Sequence, residues 1–578
     1  MPERDAISVN LGDGYLLVAA GVRRQKDGAL AADVMLQNGH VLFASPAVLN
    51  TPEGREAWAI QATAEDRPTA ERLAEALREF MLPDALAALQ EATRKPTQAD
   101  DLVRIALDTT DLAAGVAAEA GLFHDAHGEP YASILVGDHR ETWPVRSRGF
   151  RQWLARRFFE QRGKAPSSQA LVDATNVLAG QAGFDGPESR VSTRVAVLDS
   201  VIYLDLANER WQAIAVTATG WRVVDDPPVK FRRTRAMLPL PIPTTGGTLA
   251  DLRRLINVRT EDDWRLVLGW LIGAFRPRGP YPILVVHGEQ GSAKSTLARI
   301  LRALLDPNEA PIRAAPGNER DLAIAATNSW CLAFDNISRI ADWLSDAYCR
   351  VATGGGFATR TLYENDEETI FNSQRPIILN GIEEIATRGD LLDRSLIVYL
   401  PTIPEAQRRT EQELWSAFEL ARPGILGALL TVVAAALQHE ATTVLPRKPR
   451  MADFAQWVTA AAPALGWERE AFLDAYLANR REANDLTLDA SPVSQVVRDW
   501  AATLDEPWEG TASDLLKLLD GRVDEKTQKL KVWPNNARSL SNNLRRLAPN
   551  LRATGIDVGF DIRKHGGKRL IRVERSAK

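Results

Sequence analysis

The sequence predicts an α/β chain of several domains, built around one mostly parallel sheet that carries a phosphate-binding loop, with a β-rich region before it and a small basic unit after it. Three observations carry this. The 578 residues exceed what one hydrophobic core usually organises, so several structural units are expected. From residue 281 to about 402, apolar strand-like runs alternate with helical periodicity, as in a parallel sheet covered by helices. Between the apolar run "PILVV" and the amphipathic "STLARILRALLD" lies "GEQGSAKST", residues 288 to 296, which departs from G-x-x-x-x-G-K-[ST] only at Ala293.

Composition narrows the class little: 45% hydrophobic, 25% charged and 7% aromatic residues describe an ordinary globular chain. Cys331 and Cys349 are the only cysteines, too few for a disulfide framework or a thiolate metal cage. No signal-peptide pattern opens the chain and no run is expected to span a membrane, so a cytoplasmic protein without a membrane partner is expected. The net charge of -5 conceals a basic end: residues 521 to 578 hold 15 Lys and Arg against 5 Asp and Glu, a footprint for a polyanion such as nucleic acid.

Taken in order, residues 1–95 read as strands ("YLLVAAGV", "ADVMLQ", "HVLFAS") followed by helix, a small α/β unit. Residues 96–245 read as an α+β domain with a β-meander from Val195 to about Val229, closed by the Pro-rich "MLPLPIPTTGG". A helical collar follows at 246–280, then the phosphate-loop core at 281–402, a helical segment at 403–490 and the basic unit at 491–578. In the helix "RGFRQWLARRFFEQRG", Arg148, Arg151, Arg156 and Arg157 offer charge, while Trp153, Leu154, Phe158 and Phe159 are expected in the core.

The loop lies where its chemistry requires, between a buried strand and a helix N-terminus. Backbone N–H groups of Gly288, Glu289, Gln290, Gly291, Ser292 and Ala293 can wrap the phosphates of ATP, and the helix dipole favours the anion. Lys294 neutralises the terminal phosphates, Ser295 offers a hydroxyl to Mg²⁺, and Thr296 completes the motif. Ala in place of glycine matters only if position 293 needs positive φ. Further on, "SWCLAFDNIS" is an apolar strand ending in Asp335, a second Mg²⁺ ligand, and "RPIILNGI" is another ending in Asn380, placed to orient an attacking water. Arg394, with Arg388 close by, precedes the last apolar run and can reach a γ-phosphate in an adjacent subunit. Each also has a plain structural reading: Asp335 and Asn380 as turn residues, Arg394 as a partner of Asp393.

This order of motifs resembles the superfamily 3 helicases, compact AAA+ relatives, and among them the phage and poxvirus type of primase-helicase. The resemblance covers residues 250 to about 402. It implies a Walker A motif with Lys294, Ser295 and Thr296, a Walker B motif with Asp335 and Asn336, a sensor at Asn380, an arginine finger at Arg394, and a DNA-gripping hairpin at "TRTLYENDEE" with Arg360 and Tyr363 in a central channel. It also implies a homo-oligomeric ring, with six subunits expected, around single-stranded DNA. Asn336 departs from the acid often found there and cannot act as a general base, which leaves Glu289 or Asp346 to assist.

The C-terminal unit resembles a winged helix. "ARSLSNNLRRLAPNLR" would be its recognition helix, meeting duplex DNA through Arg538, Asn542, Arg545 and Arg546, and "RKHGGKR" its wing, with Lys564 and Lys568. Asp199 and Asp205 invite a primase-carboxylate reading, but a meander with turn aspartates accounts for them better. His124 and His127 lack the partners of a zinc site. The functions expected are therefore an ATP-driven DNA helicase or translocase of a phage or mobile element, an ATP-dependent loader or switch without unwinding, or a primase-helicase.

Overall fold

The computed structural model describes residues 6–64, 67–93, 97–108, 121–355, 357–360, 368–371, 374–381, 389–489, 491–530, 532–563 and 569–575. Two compact units divide the chain, and they do not follow the expected 96–245 segment. Residues up to 108 join 148–178 in one unit; the remainder forms the other.

In the first unit, strands Ala6–Gly12, Tyr15–Arg24, Leu30–Gln37 and Val41–Val48 pair antiparallel in sequence order. Their alternation buries Leu17, Ala19, Val34 and Leu36 on one face, against Trp58, Ala59, Leu73 and Leu77 of helices Pro52–Ala62 and Ala70–Glu79. Thr51 caps the first helix by accepting the Gly54 N–H, with Pro52 beside it at the first turn. In helix Arg148–Arg162, Leu154 and Phe158 are buried and Trp153 is half-buried, but Phe159 is 56% exposed, contrary to expectation. Phe158 continues the i, i+4 row begun by Leu154, whereas Phe159 stands about 100° further round the helix, on the solvent side.

In the second unit, four antiparallel strands, Val195–Leu198, Val201–Asp205, Ala213–Thr217 and Gly220–Val224, form a meander. It is not a separate domain ending at 245. Its Ile202, Leu204, Ile214 and Val216 share one continuous core with the helices that follow. The joint is tight: a Cβ on Gly247 would lie 2.2 Å from the Gly424 carbonyl carbon.

Helix α1 (Glu261–Ala274), opened by a Thr260–Asp263 capping box, leads into a four-stranded parallel sheet. Strand β1 (Ile283–His287) lies inside it, followed by helix α2 (Lys294–Leu305). Strand β2 (Leu332–Phe334), helix α3 (Asp342–Thr353), strand β3 (Ile377–Gly381), helix α4 (Gly389–Leu392) and strand β4 (Ser395–Tyr399) complete it, in the spatial order β2-β3-β1-β4. Leu284 and Val286 of β1 face one core cluster and Ile283 and Val285 the other, which is why the run reads as continuously apolar. On the β4 edge, Asn479 covers an open strand: its side-chain amide accepts the Ile397 N–H (2.9 Å) and donates to the Ile397 carbonyl (2.6 Å).

Helices α5 (Glu411–His439), α6 (Ala452–Leu465) and α7 (Ala471–Asp489) follow. With its short extension to Thr442, α5 is long and apolar enough to cross a membrane by length and composition, against the expectation that no run would be. Half of its most apolar stretch is buried, and Phe418, Ile425, Leu429 and Val433 belong to the central core.

Candidate functional site

In a parallel sheet all strands point one way, so residues just past their C-terminal ends gather in one crevice. Register decides which residues these are. Val286 pairs with Asn380, and Phe334 with Leu379, so Asp335 and Asn380 end level with the residues that open the phosphate loop.

The loop needs unusual backbone. Gly288 has φ +151, and a Cβ there would lie 2.3 Å from the Leu400 carbonyl oxygen. Ala293 sits left-handed at φ 65, ψ 31, as the last residue before α2, so the position does favour glycine. Lys294 donates to the Gly288 and Glu289 carbonyls (2.7 and 2.8 Å) and to Ser292 Oγ (3.3 Å). Burial lowers the pKa of this ammonium, and Asp335 partly opposes the shift. Ser295 Oγ donates to Asp335 Oδ1 at 3.1 Å, which also accepts the Asn336 N–H at 2.8 Å. Asn380 is fully buried; its Oδ1 accepts the Asn336 N–H at 3.0 Å, while its Nδ2 has no hydrogen-bond partner among the described residues.

A hydroxyl and a carboxylate facing each other suit Mg²⁺, which keeps most of its waters and takes few protein ligands. Among the described residues no group of three or more His, Cys, Asp and Glu forms an all-protein cage, so Ser295 and Asp335 are the fitting pair.

The remaining residues fall in different places. Asn336 is exposed at φ 54. Of the two carboxylates expected to assist, Glu289 lies on the loop and accepts from Thr402 Oγ1 (3.0 Å). Asp346 lies on α3, one turn before Cys349, whose sulfur is 3.9 Å from Arg394 Nη1. Arg394 immediately precedes β4, at the opposite end of the sheet, where its carbonyl accepts the Ile283 N–H. It does not pair with Asp393, which is held by Arg450 and Arg480. Asp205, the primase-type carboxylate, is bound at both oxygens by Arg233 (2.6 and 3.0 Å), and Asp199 lies in a turn at the other end of the strand, so the two make no metal pair.

Arg360 ends strand Phe357–Arg360, which pairs antiparallel with Glu368–Phe371 in a two-stranded ribbon. Tyr363, Arg388, Lys564 and Lys568 lie outside the described residues. Helix α8 (Ala537–Ala553) buries Leu540, Leu544, Leu547 and Leu551 and exposes Arg538, Asn542, Arg545 and Arg546, with the Arg545 guanidinium 4.5 Å over the Phe560 ring. Strands Ile556–Arg563 and Arg569–Arg575 pair beside it, and a third strand, Trp508–Gly510, which no sequence pattern announces, extends the sheet. Asn257 is likewise silent in the sequence: its amide donates to the Ser292 carbonyl (3.2 Å) and the Pro401 carbonyl (2.6 Å), tying the loop to the end of β4. No spacing rule links it to a loop some 35 residues away.

Residues 249–486 match the family model of the actinomycete integrative conjugative element replication protein, AICE RepA, and residues 493–578 match the AICE RepA C-terminal domain. From residue 249 on, the chain is thus similar to replication proteins of a mobile element. No curated protein matches the chain. Among solved structures, the apo C-terminal region of NrS-1 is 11% identical with a TM-score of 0.37, over 84% of this chain and 100% of that one. JCV helicase bound to an acetamide compound is 11% identical with a TM-score of 0.20, over 36% and 67%. At such identities and scores neither speaks to activity.

Proposed function

We propose that the chain is an ATP-driven, ring-forming DNA helicase or translocase that serves replication of a mobile element. The observation that carries this reading is the meeting of Lys294, Ser295, Asp335 and Asn380 at one end of a parallel sheet, with the buried Asn380 Nδ2 unpaired among the described residues. The loop amides and Lys294 bind the β- and γ-phosphates. Ser295 and Asp335 would hold Mg²⁺, which when bound neutralises charge across the phosphate oxygens. Asn380 Nδ2 donates to the γ-phosphate or the attacking water and so orients the in-line approach. Arg394 acts on the nucleotide of a neighbouring subunit in a ring of six, stabilising the transferring phosphoryl group. The ribbon ending at Arg360, with Tyr363, follows a single strand in the channel. Helix α8, the core of a winged-helix-like domain, meets duplex through Arg538, Asn542, Arg545 and Arg546, with Lys564 and Lys568 on the wing. The matches to mobile-element replication proteins support DNA as the partner.

The test is DNA-stimulated ATP turnover together with displacement of a labelled strand from a fork. Lys294→Ala is expected to abolish both; retention of nucleotide binding and turnover in that variant overturns the reading. A second reading, an ATP-dependent loader or switch without unwinding, is favoured by Asn336, whose amide cannot take a proton from water. Nucleotide-dependent assembly on DNA without strand displacement would select it.

A further inference from the structure

Of the residues proposed to act on the nucleotide, Arg394 lies at the other end of the sheet from the phosphate loop, and its surroundings are specific. Its Nη1 donates to the Asp390 carbonyl at 2.8 Å and lies 3.9 Å from the Cys349 sulfur. Burial pushes the Cys349 thiol up to about 11, so the sulfur gives the guanidinium no charge to pair with. Among the described residues Arg394 pairs with no carboxylate, although Asp393 precedes it in the chain. Asp393 is occupied from two sides: Arg450, just before α6, donates to Oδ2, and Arg480 of α7 donates to Oδ1. Both arginines belong to the helical region that follows the sheet. The clamp lines a cavity of about 820 Å³ that α8 also borders.

Two consequences follow for a guanidinium that must reach another subunit. A free carboxylate next to it in sequence competes for it, and the clamp removes that competitor. The peptide carrying it must also be held, and α4 is only one turn long, anchored by Leu391 and Leu392. We propose that Asp393 is a positioning residue: gripped by Arg450 and Arg480, it fixes the segment that presents Arg394, so the helical region of one subunit sets the arginine offered to the next. This rests on the reading that Arg394 acts in trans.

The experiment measures ATP binding and DNA-stimulated turnover of the full chain for Asp393→Ala and Arg394→Ala, each alone and mixed with Lys294→Ala. Asp393→Ala is expected to bind ATP with unchanged affinity and to turn over at least tenfold more slowly. Activity should return on mixing, because mixed interfaces join an intact loop to a well-presented arginine. Unchanged turnover in Asp393→Ala, or a loss that mixing does not restore, overturns the proposal. Arg394→Ala judges the premise separately: if its mixture with Lys294→Ala stays inactive, the trans reading itself fails and takes the proposal with it. Should Asp393→Ala not bind ATP, Arg480→Gln, which leaves Arg450 on the carboxylate, is measured in the same way: slowed turnover restored by mixing supports the proposal, and unchanged or unrestored turnover overturns it.

Discussion

Two clusters of buried polar side chains in the second unit are built to opposite rules. At the foot of the meander, Arg194 is fully buried and every part of it is engaged: it donates to Asp306 Oδ1 (3.0 Å) and to the carbonyls of Asp205, Leu238 and Pro307. The other Asp306 oxygen accepts the Trp330 and Cys331 N–H groups, and both Asp205 oxygens are held by Arg233. At the loop end of the sheet, Asn380 is equally buried, yet its Nδ2 is unpaired among the described residues, and Lys294 rests on the loop's own carbonyls. A buried donor without a partner costs roughly 1–3 kcal/mol. Saturation marks the first cluster as architecture, and the open donor in the second suits the role proposed for Asn380 toward a bound nucleotide or water. That contrast excludes Asp205 as a metal ligand and singles out Asn380.

The comparison can be broken in four ways, the largest effect first. Arg194→Ala strands the buried Asp306 carboxylate and is expected to cost about 3–5 kcal/mol in urea unfolding, without lowering nucleotide affinity of the folded fraction. A cost under about 1 kcal/mol would mean that the saturated cluster is not structural. Asn380→Ala should do the reverse: turnover falls roughly 100-fold, as on removal of one transition-state donor. Its stability should stay within about 1 kcal/mol, because the lost bond to the Asn336 N–H is offset by removal of the unpaired amide. Unfolding of this variant, with turnover intact in the folded part, would reverse the assignment.

The third concerns strain rather than valence. An L-residue in the left-handed region costs about 1–2 kcal/mol, and a glycine loosens the unfolded chain by roughly 0.4–1 kcal/mol. Ala293→Gly should therefore stabilise by up to about 1.6 kcal/mol in thermal melts; a clear destabilisation would show that Ala293 is not strained. The smallest effect is acid sensitivity. Burial holds His287, at the end of β1, below its ordinary pKa, with Asp263 opposing and Lys294 and Arg259 reinforcing the shift. The unfolded imidazole therefore takes up a proton first, so stability present above about pH 6.5 is lost as pH falls toward the folded value. His287→Gln should flatten the acid limb of a melting-temperature profile measured between about pH 7 and 5; an unaltered limb would show that His287 does not contribute to it.

Much of the sheet was legible because its signals are local. "PILVV" and "RPIILNGI" read as strands from unbroken apolar runs, and Lys294, Ser295 and Asp335 stand at chain positions set by a loop or a strand end. What failed was longer in range or finer in angle. Asn257 and the Asp393 clamp come from segments far apart in the chain. Phe159 looked like core because the helix carries two adjacent rings, of which one is buried. The meander read as part of a 96–245 domain because nothing in its alternation says that its inner face is completed by α5.

By itself, then, the sequence determined the elements and the chemistry at their ends: a helix N-terminus with a lysine and a serine, strands closing in an aspartate and an asparagine, and a basic face on α8. Tertiary structure alone decided which of these groups are satisfied. Strand register brought Asn380 level with Asp335, backbone φ showed that Ala293 occupies a glycine's conformation, and packing from distant helices took Asp393 away from Arg394. The reason is physical: propensity and periodicity act over a few neighbours, whereas a hydrogen bond is made or left open by whatever the fold brings within about 3 Å.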